Sequence, residues 1–371
     1  MCPKVKLDKS NKVVLLGPSK SAVSGVSTHL NQLFNSSLSH EYCMLQFQVG
    51  SEGRNNNVIK NLWRFATSPI LFFFFLIKYK PIIVHVNSSL EPKAFWRDLA
   101  YVIIGKLLCK KIVYQVHGGK LPQYFLGSNI ISHIFLRWSL GLSDALVLLA
   151  QVEKVSYEKF GKFKKVVVIP NAIELEDYKN IKGINLSNDY LNLGYIGRLA
   201  DDKGILESVK ALSVLKDRGI KNFKYRIAGS GPVEDILRNM VIEEDLADVV
   251  EFIPPIFGDK KIRFWEETDL FLFPTYHHEG LPYTVLESLA SGTPMITTRI
   301  GGIPDVVTDG VHAIFVEPHD HVGVADAIAL LLADRKKLHD MSALAAERAR
   351  EHYGIERLAT QFSELYRDVL E

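Results

Sequence analysis

The sequence predicts an α/β protein made of two doubly wound units, each a parallel sheet covered by helices. Three observations predict it. Short, continuously apolar, β-branched runs alternate with longer helical patterns, which is how strands buried on both faces of a parallel sheet read. The rhythm restarts near Tyr190, after a full set of such runs. The chain of 371 residues is long enough for two domains of ordinary size.

In the first half, Lys12–Leu16, Ile82–Val86, Lys111–Val116, Ala145–Leu149 and Lys165–Ile169 read as strands. Tyr190–Gly204 (YLNLGYIGRLADDKG) opens the second half with a new strand and turn. Asn222–Gly229, Val249–Ile253, Asp269–Phe273 and Pro294–Thr298 follow as strands. The tail from Ala325 to Glu371 reads as helix, rich in Ala, Leu and paired charges. The join falls near residues 172–188, giving domains at 1–180 and 181–352.

Composition narrows the function. With 47% hydrophobic and 23% charged residues the chain is neither disordered nor fibrous. Cys2, Cys43 and Cys109 lie far apart, which excludes a disulfide scaffold and a cysteine zinc cluster. No secretory leader is read at Met1-Cys2-Pro3-Lys4, so a cytoplasmic location is expected. Residues 1–185 carry 24 Lys and Arg against 11 Asp and Glu, net +13, and the remainder carries 20 against 31, net −11. A basic half suits an anionic membrane surface, a phosphorylated ligand or nucleic acid. With no nucleic-acid-binding signature present, nucleic acid is the weakest of these. Phe65–Ile77 is nearly all apolar and ends at Lys78-Tyr79-Lys80. It is too short to span a bilayer in a helix. It reads either as a helix buried on the sheet or as one whose apolar face touches an inner leaflet, giving peripheral contact with an anionic membrane surface.

In open parallel sheets ligands bind at the carboxyl ends of strands, and four clusters fall there. After the first strand, Ser24-Gly25 precedes a helix, and Gly25 lets backbone approach an anion. The third strand read ends in His117-Gly118-Gly119-Lys120, which puts His117 at a strand end. Gly197-Arg198 with Lys203-Gly204 places two cations beside a helix N-terminus, a suitable seat for a diphosphate. The richest is His277-His278-Glu279-Gly280-Leu281-Pro282 leading to Glu287, with one carboxylate in the loop and another a turn and a half inside the helix. Metal-protease spacing is absent from the His-His-Glu run, so no metal is expected. Neither GxGxxG nor a Walker A sequence occurs, which disfavours a nicotinamide dehydrogenase.

Taken together these motifs resemble the retaining GT-B glycosyltransferases of glycosyltransferase family 4. Gly197-Arg198 with Lys203-Gly204, Ala228-Gly229-Ser230-Gly231-Pro232, Glu279-Gly280-Leu281-Pro282 to Glu287, Gly292-Thr293-Pro294 and Gly301-Gly302-Ile303-Pro304-Asp305 occur in that family's order. Ile169-Pro170-Asn171-Ala172-Ile173 is similar to its hinge, with Ala172 in place of a glycine. The resemblance implies the GT-B fold, two Rossmann-like domains facing across a cleft, the second holding a nucleotide-diphosphate sugar. It implies that Arg198 and Lys203 bind the diphosphate, Glu279 the transferred sugar with the amides of Gly280, Leu281 and Pro282, and Glu287 the ribose. Gly229, Gly231 and Ile253 would line the base, Gly197 would join the donor-binding set, and Gly25 would approach the phosphates from the other domain. His117 would face the donor sugar and acceptor. His117, Arg198, Lys203 and Glu279 are thus the expected catalytic set, with the terminal helix 353–371 packing on the first domain.

The implied reaction is metal-independent transfer, with retention, of a hexose or N-acetylhexosamine to a glycan or lipid-linked acceptor in bacterial cell-surface polysaccharide synthesis. A UDP-sugar is favoured over a GDP-sugar as co-substrate, with no other cofactor. A GT-B sugar-nucleotide 2-epimerase and a non-catalytic nucleotide-sugar binding module are the alternatives. Departures from the family pattern fall at Ser24, at Pro254-Pro255 and at Asn87, where many members carry a second histidine.

Overall fold

The computed structural model describes residues 11–50, 58–118, 121–184, 190–277 and 280–371, with the side chains of 58–62, Leu126 and Ser128 outside the description. Its contacts divide the chain into two units. One holds the chain up to Ala172 together with Glu279–Leu281 and Ile355–Glu371, and the other holds Ile173–His278 and Pro282–Gly354.

The first unit runs β1 (Lys12–Gly17), α1 (Gly25–Asn35), α2 (Leu38–Glu41), β2 (Cys43–Gln48), α3 (Val58–Tyr79), β3 (Ile83–Ser88), α4 (Pro92–Leu107), β4 (Lys111–Val116), α5 (Ile130–Gly141), β5 (Ala145–Leu148), α6 (Gln151–Phe160) and β6 (Val166–Val168). Its six strands pair in the order β2-β1-β3-β4-β5-β6, every pair parallel. The order reverses between β1 and β3, and there the loops above the strand ends part. Side chains alternate across the sheet, so Val14, Leu16, Val84 and Val86 join Phe72, Leu76, Phe95, Leu99 and Leu136 from α3, α4 and α5. Val13, Leu15, Ile83 and Val113 face the opposite layer, which includes Leu30 and Leu33 of α1.

The second unit contains β7 (Leu191–Ile196), α7 (Ile205–Asp217), β8 (Phe223–Ala228), α8 (Glu234–Glu243), β9 (Val250–Ile253), α9 (Asp259–Glu266), β10 (Leu270–Phe273), α10 (Tyr283–Ala290), β11 (Met295–Thr297), α11 (Ile303–Val306), β12 (Ala313–Phe315), α12 (His321–Ala333) and α13 (Arg335–His352). Its order is β12-β11-β10-β7-β8-β9, again all parallel, with the reversal between β7 and β10. The final helix, α14 (Ile355–Leu370), belongs to the first unit and buries Phe362 and Tyr366 in its α1-side core. Fully burying side chains of that size stabilises by about 1.5–3 kcal/mol each.

Strands β2 and β12 carry no signal in the sequence pattern. β2 is an edge strand with half-buried residues throughout, and β12 is only three residues long. The apolar stretch around Phe65–Ile77 is helical but not wholly buried: Phe72 and Leu76 are sealed in the core, whereas Phe65, Ile70, Leu71, Phe74 and Ile77 are exposed. Among the described residues no helix is long and apolar enough to cross a membrane.

Candidate active site

In the second unit the sequence-predicted residues gather at the carboxyl ends of the strands flanking the reversal. β7 ends at Ile196, and the chain turns through Gly197 and Arg198. The amides of Gly197 and Leu199 donate to the carbonyls of Ala228 and Ser230, both at 3.0 Å, so this loop is laced to the one after β8. The Tyr195 hydroxyl donates to the Arg198 carbonyl at 2.7 Å, fixing the turn and leaving the arginine side chain exposed.

Close approach explains the glycines. A Cβ on Gly229, whose φ is +154°, would stand 1.9 Å from the Gly197 carbonyl oxygen, and one on Gly204 (φ +70°) would stand 2.1 Å from that of Pro274. Both obstacles are backbone and cannot step aside. Gly229→Ala is therefore expected to destabilise the second unit by about 2 kcal/mol or more, read by urea denaturation; an unchanged midpoint would show that the loops part freely. Gly231 lies as close to Leu199, and the Gly229 amide donates to Ile253 at 3.0 Å, which brings the end of β9 into the same group.

Lys203 sits in a short 3₁₀ turn before α7. The turn is tied to the loop after β10: the amides of Tyr276 and His277 both donate to the Asp202 carbonyl at 3.0 Å, and His277 Nδ1 meets the Asp202 carboxylate at 2.6 Å. Burial, with Arg198 adding repulsion against the pull of Asp202, pushes the Lys203 ammonium down to about 8. A second anion arriving here relieves that repulsion. The free amides at the start of α7 face the same strand-end region.

Pro282 caps α10, and Glu287 lies on its second turn, buried. Lys261 Nζ meets Glu287 at 2.6 Å and the Trp265 indole donates at 3.2 Å. Sequence reasoning missed Lys261, which comes from α9 and carries no motif. Glu279 lies outside the described residues, as do His278, Gly119 and Lys120. Among the described residues no group of three or more His, Cys, Asp or Glu is placed to hold a metal.

The remaining predicted residues are in the first unit. Gly25 opens α1, and the Ser24 hydroxyl accepts from the Ser27 amide at 3.3 Å, capping the helix. His117 follows β4, and its Nε2 lies 2.8 Å from Asn87 Oδ1. An amide oxygen only accepts, so Nε2 carries the ring proton and Nδ1 is the basic nitrogen. Asn87 is thus the residue that orients His117. The His117 ring also packs edge-on against His29, 4.6 Å between centroids. Desolvation, then the neighbouring His29 and His85, holds its pKa well below the usual histidine value, so it is neutral. Leu281 is buried, and its carbonyl accepts from Asn171 Nδ2 at 2.8 Å. Gly280 is buried beside it.

Residues 177–348 match the family model described as glycosyl transferases group 1. A colanic acid biosynthesis glycosyltransferase of Salmonella typhimurium, WcaL, named as putative, is 32% identical over 82% of this chain and 71% of its own. The chain belongs to the glycosyl transferases group 1 family. Another member, the D-inositol 3-phosphate glycosyltransferase of Paenarthrobacter aurescens, is 28% identical over 56% of this chain, and the match spans about half (52%) of that relative's length. Among solved structures, sucrose-phosphate synthase from Thermosynechococcus elongatus superposes with a TM-score of 0.78 at 18% identity, covering 97% of this chain and 99% of that one. Anabaena Alr3699/HepE in complex with UDP gives 0.74 at 15% identity over 96% and 100%. Both neighbours share the GT-B fold with this member of the family.

Proposed function

We propose that the protein transfers a hexose or N-acetylhexosamine, with retention and without a metal, from a nucleotide-diphosphate sugar to a glycan or lipid-linked acceptor. UDP is the favoured nucleotide, in keeping with the UDP named in the HepE complex. The setting is assembly of a bacterial surface polysaccharide, in keeping with relatives named for colanic acid and capsular polysaccharide, at the cytoplasmic face of a membrane. The observation that carries this reading is the pair Arg198 and Lys203, set with a helix N-terminus at the strand reversal of the second unit.

In the reaction the acceptor hydroxyl oxygen bonds to the anomeric carbon. The bond from that carbon to the diphosphate oxygen breaks, with its electron pair leaving on the diphosphate. The acceptor proton passes to a departing phosphate oxygen on the same face. Arg198, Lys203 and the α7 amides stabilise the growing negative charge, the part a divalent cation plays elsewhere. Neutral His117, steered by Asn87, hydrogen-bonds the sugar. Glu287 accepts from the ribose hydroxyls and Glu279 from the transferred sugar.

The two glutamates supply the test. Glu287→Gln is expected to weaken free UDP by about tenfold, since a charged acceptor is lost. Glu279→Gln is expected to spare UDP and lower turnover. Calorimetry on both variants reads this directly, and equal losses of UDP affinity would refute the division of roles.

A further inference from the structure

We propose that Lys261 is a positioning residue of the nucleotide site. It fixes the Glu287 carboxylate so that it reads both hydroxyls of a ribose, and so makes the site selective for ribonucleoside over deoxyribonucleoside diphosphates. The inference rests on the ribose role given to Glu287 above and names the group that sets its aim.

Chain order puts the two side chains at the same edge of the sheet. α9 leaves the carboxyl end of β9 and returns to the start of β10, so its first turn, which holds Lys261, lies on the strand-end side. α10 follows the carboxyl end of β10, and Glu287 is about 6 Å along it. Lys261 and Trp265 are four residues apart and share one face of α9. That face meets the carboxylate twice, with Lys261 Nζ at Oε1 (2.6 Å) and the Trp265 indole at Oε2 (3.2 Å).

The two donors differ in freedom. Trp265 is sealed in the core, its ring 5.1 Å from that of Phe271 in β10, so it holds Oε2 from a rigid base. The Lys261 side chain is 29% exposed against 7% for Glu287, so its ammonium reaches the carboxylate from the solvent side. With both oxygens held, the plane of the carboxylate is set. An ionised carboxylate has about four acceptor positions, which leaves one open on each oxygen. Two open positions side by side suit the 2′ and 3′ hydroxyls of a ribose. A pair that only tied α9 to α10 would be a poor use of a buried carboxylate, since apolar side chains of similar volume join helices as well or better.

Selectivity follows from the rigidity. A fixed, buried acceptor rejects an analogue that lacks the hydroxyl, because the acceptor is then left unpaired. Without Lys261 the carboxylate is held at Oε2 alone and can turn about that bond, so a missing hydroxyl costs little.

The full-length protein is titrated calorimetrically with UDP, 2′-deoxy-UDP and UMP. Wild type is expected to bind UDP about tenfold or more tightly than 2′-deoxy-UDP. Lys261→Met keeps the apolar stem, removes the ammonium and should cut that preference to about twofold or less. Lys261→Arg should restore most of it, and Lys261→Gln gives the same reading as Lys261→Met should the latter fold poorly. The ratio of UDP to UMP affinity should hold in every Lys261 variant, because it reads the diphosphate seat at Arg198 and Lys203.

Indifference of the wild type to the 2′ hydroxyl overturns the inference. Undiminished preference in Lys261→Met does so too, even where all three nucleotides weaken equally, and leaves the pair as a structural tie. Glu287→Gln separates the inference from the reading beneath it. If Glu287→Gln abolishes the preference and Lys261→Met does not, only the inference falls. If Glu287→Gln keeps both UDP affinity and the preference, the ribose role itself falls and the inference with it.

Discussion

Replacing Arg198 or Lys203 by alanine is expected to cut turnover by about 10²-fold or more. Each change removes a fixed positive charge from the place where the leaving diphosphate gathers electrons, and a charge-assisted contact of that kind is worth about 2–3 kcal/mol in the transition state. Arg198 is exposed and Lys203 partly so, and the loop around them is held by backbone hydrogen bonds at Gly197, Leu199 and Asp202, so the fold should survive. The pH dependence separates the two residues. Because the Lys203 ammonium is pushed down to about 8, it loses its proton as pH rises through 8, and UDP affinity should fall there. In Lys203→Ala that fall should vanish while Arg198, charged throughout, goes on contributing. Near-normal turnover in both variants would remove the diphosphate clamp from the account.

Acidification is expected to cost the first unit several kcal/mol before ordinary carboxylates begin to titrate. His29 and His85 are fully buried, and desolvation drives each from 6.5 down to about 3. For His85 the repulsion of His29 adds to this, against the Gln115 hydrogen bond. Burial holds His85 neutral and its partners fix the tautomer: Nε2 donates to Gln115 Oε1 at 3.0 Å, and Nδ1 accepts from the Tyr366 hydroxyl of α14 at 2.7 Å.

The sign follows from proton counts. Between about 3 and 6.5 the unfolded chain binds these protons and the folded chain does not, so stability is full above 6.5 and is lost as pH falls. Each histidine costs about 2 kcal/mol between pH 7 and pH 5, about 4 together, a large share of ordinary domain stability. His117 acts in the same direction. Urea denaturation from pH 7 to 5 reads the slope, and His29→Phe, which keeps a ring against Phe362 and His117, should lower it by about one proton. A midpoint that does not move between pH 7 and 5 would mean that the three rings carry protons in the fold.

What the sequence disclosed was local. Continuous β-branched runs such as Lys111–Val116 announce a doubly covered strand because both faces need apolar residues. Gly197-Arg198 and Lys203-Gly204 are legible for a similar reason: backbone crowding forces the glycines, and the cations sit within one turn of chain. Residues whose roles depend on distant segments were not legible. Lys261 meets Glu287 across 26 positions, and Asn87 meets His117 across 30. Nothing in the spacing of either pair marks it. The helix around Phe65–Ile77 shows the limit of composition, since a buried phenylalanine and an exposed one are the same letter. Only the packing of Phe72 and Leu76 against the sheet reveals which side Phe74 and Ile77 must take.

The most direct test of the central claim is calorimetric titration of the metal-free protein, in EDTA, with UDP and UMP. The account predicts that UDP binds at least about tenfold more tightly than UMP, because the second phosphate is the one that engages Arg198, Lys203 and the start of α7. Equal affinities for the two nucleotides, or binding of UDP only after a divalent metal is restored, would contradict it.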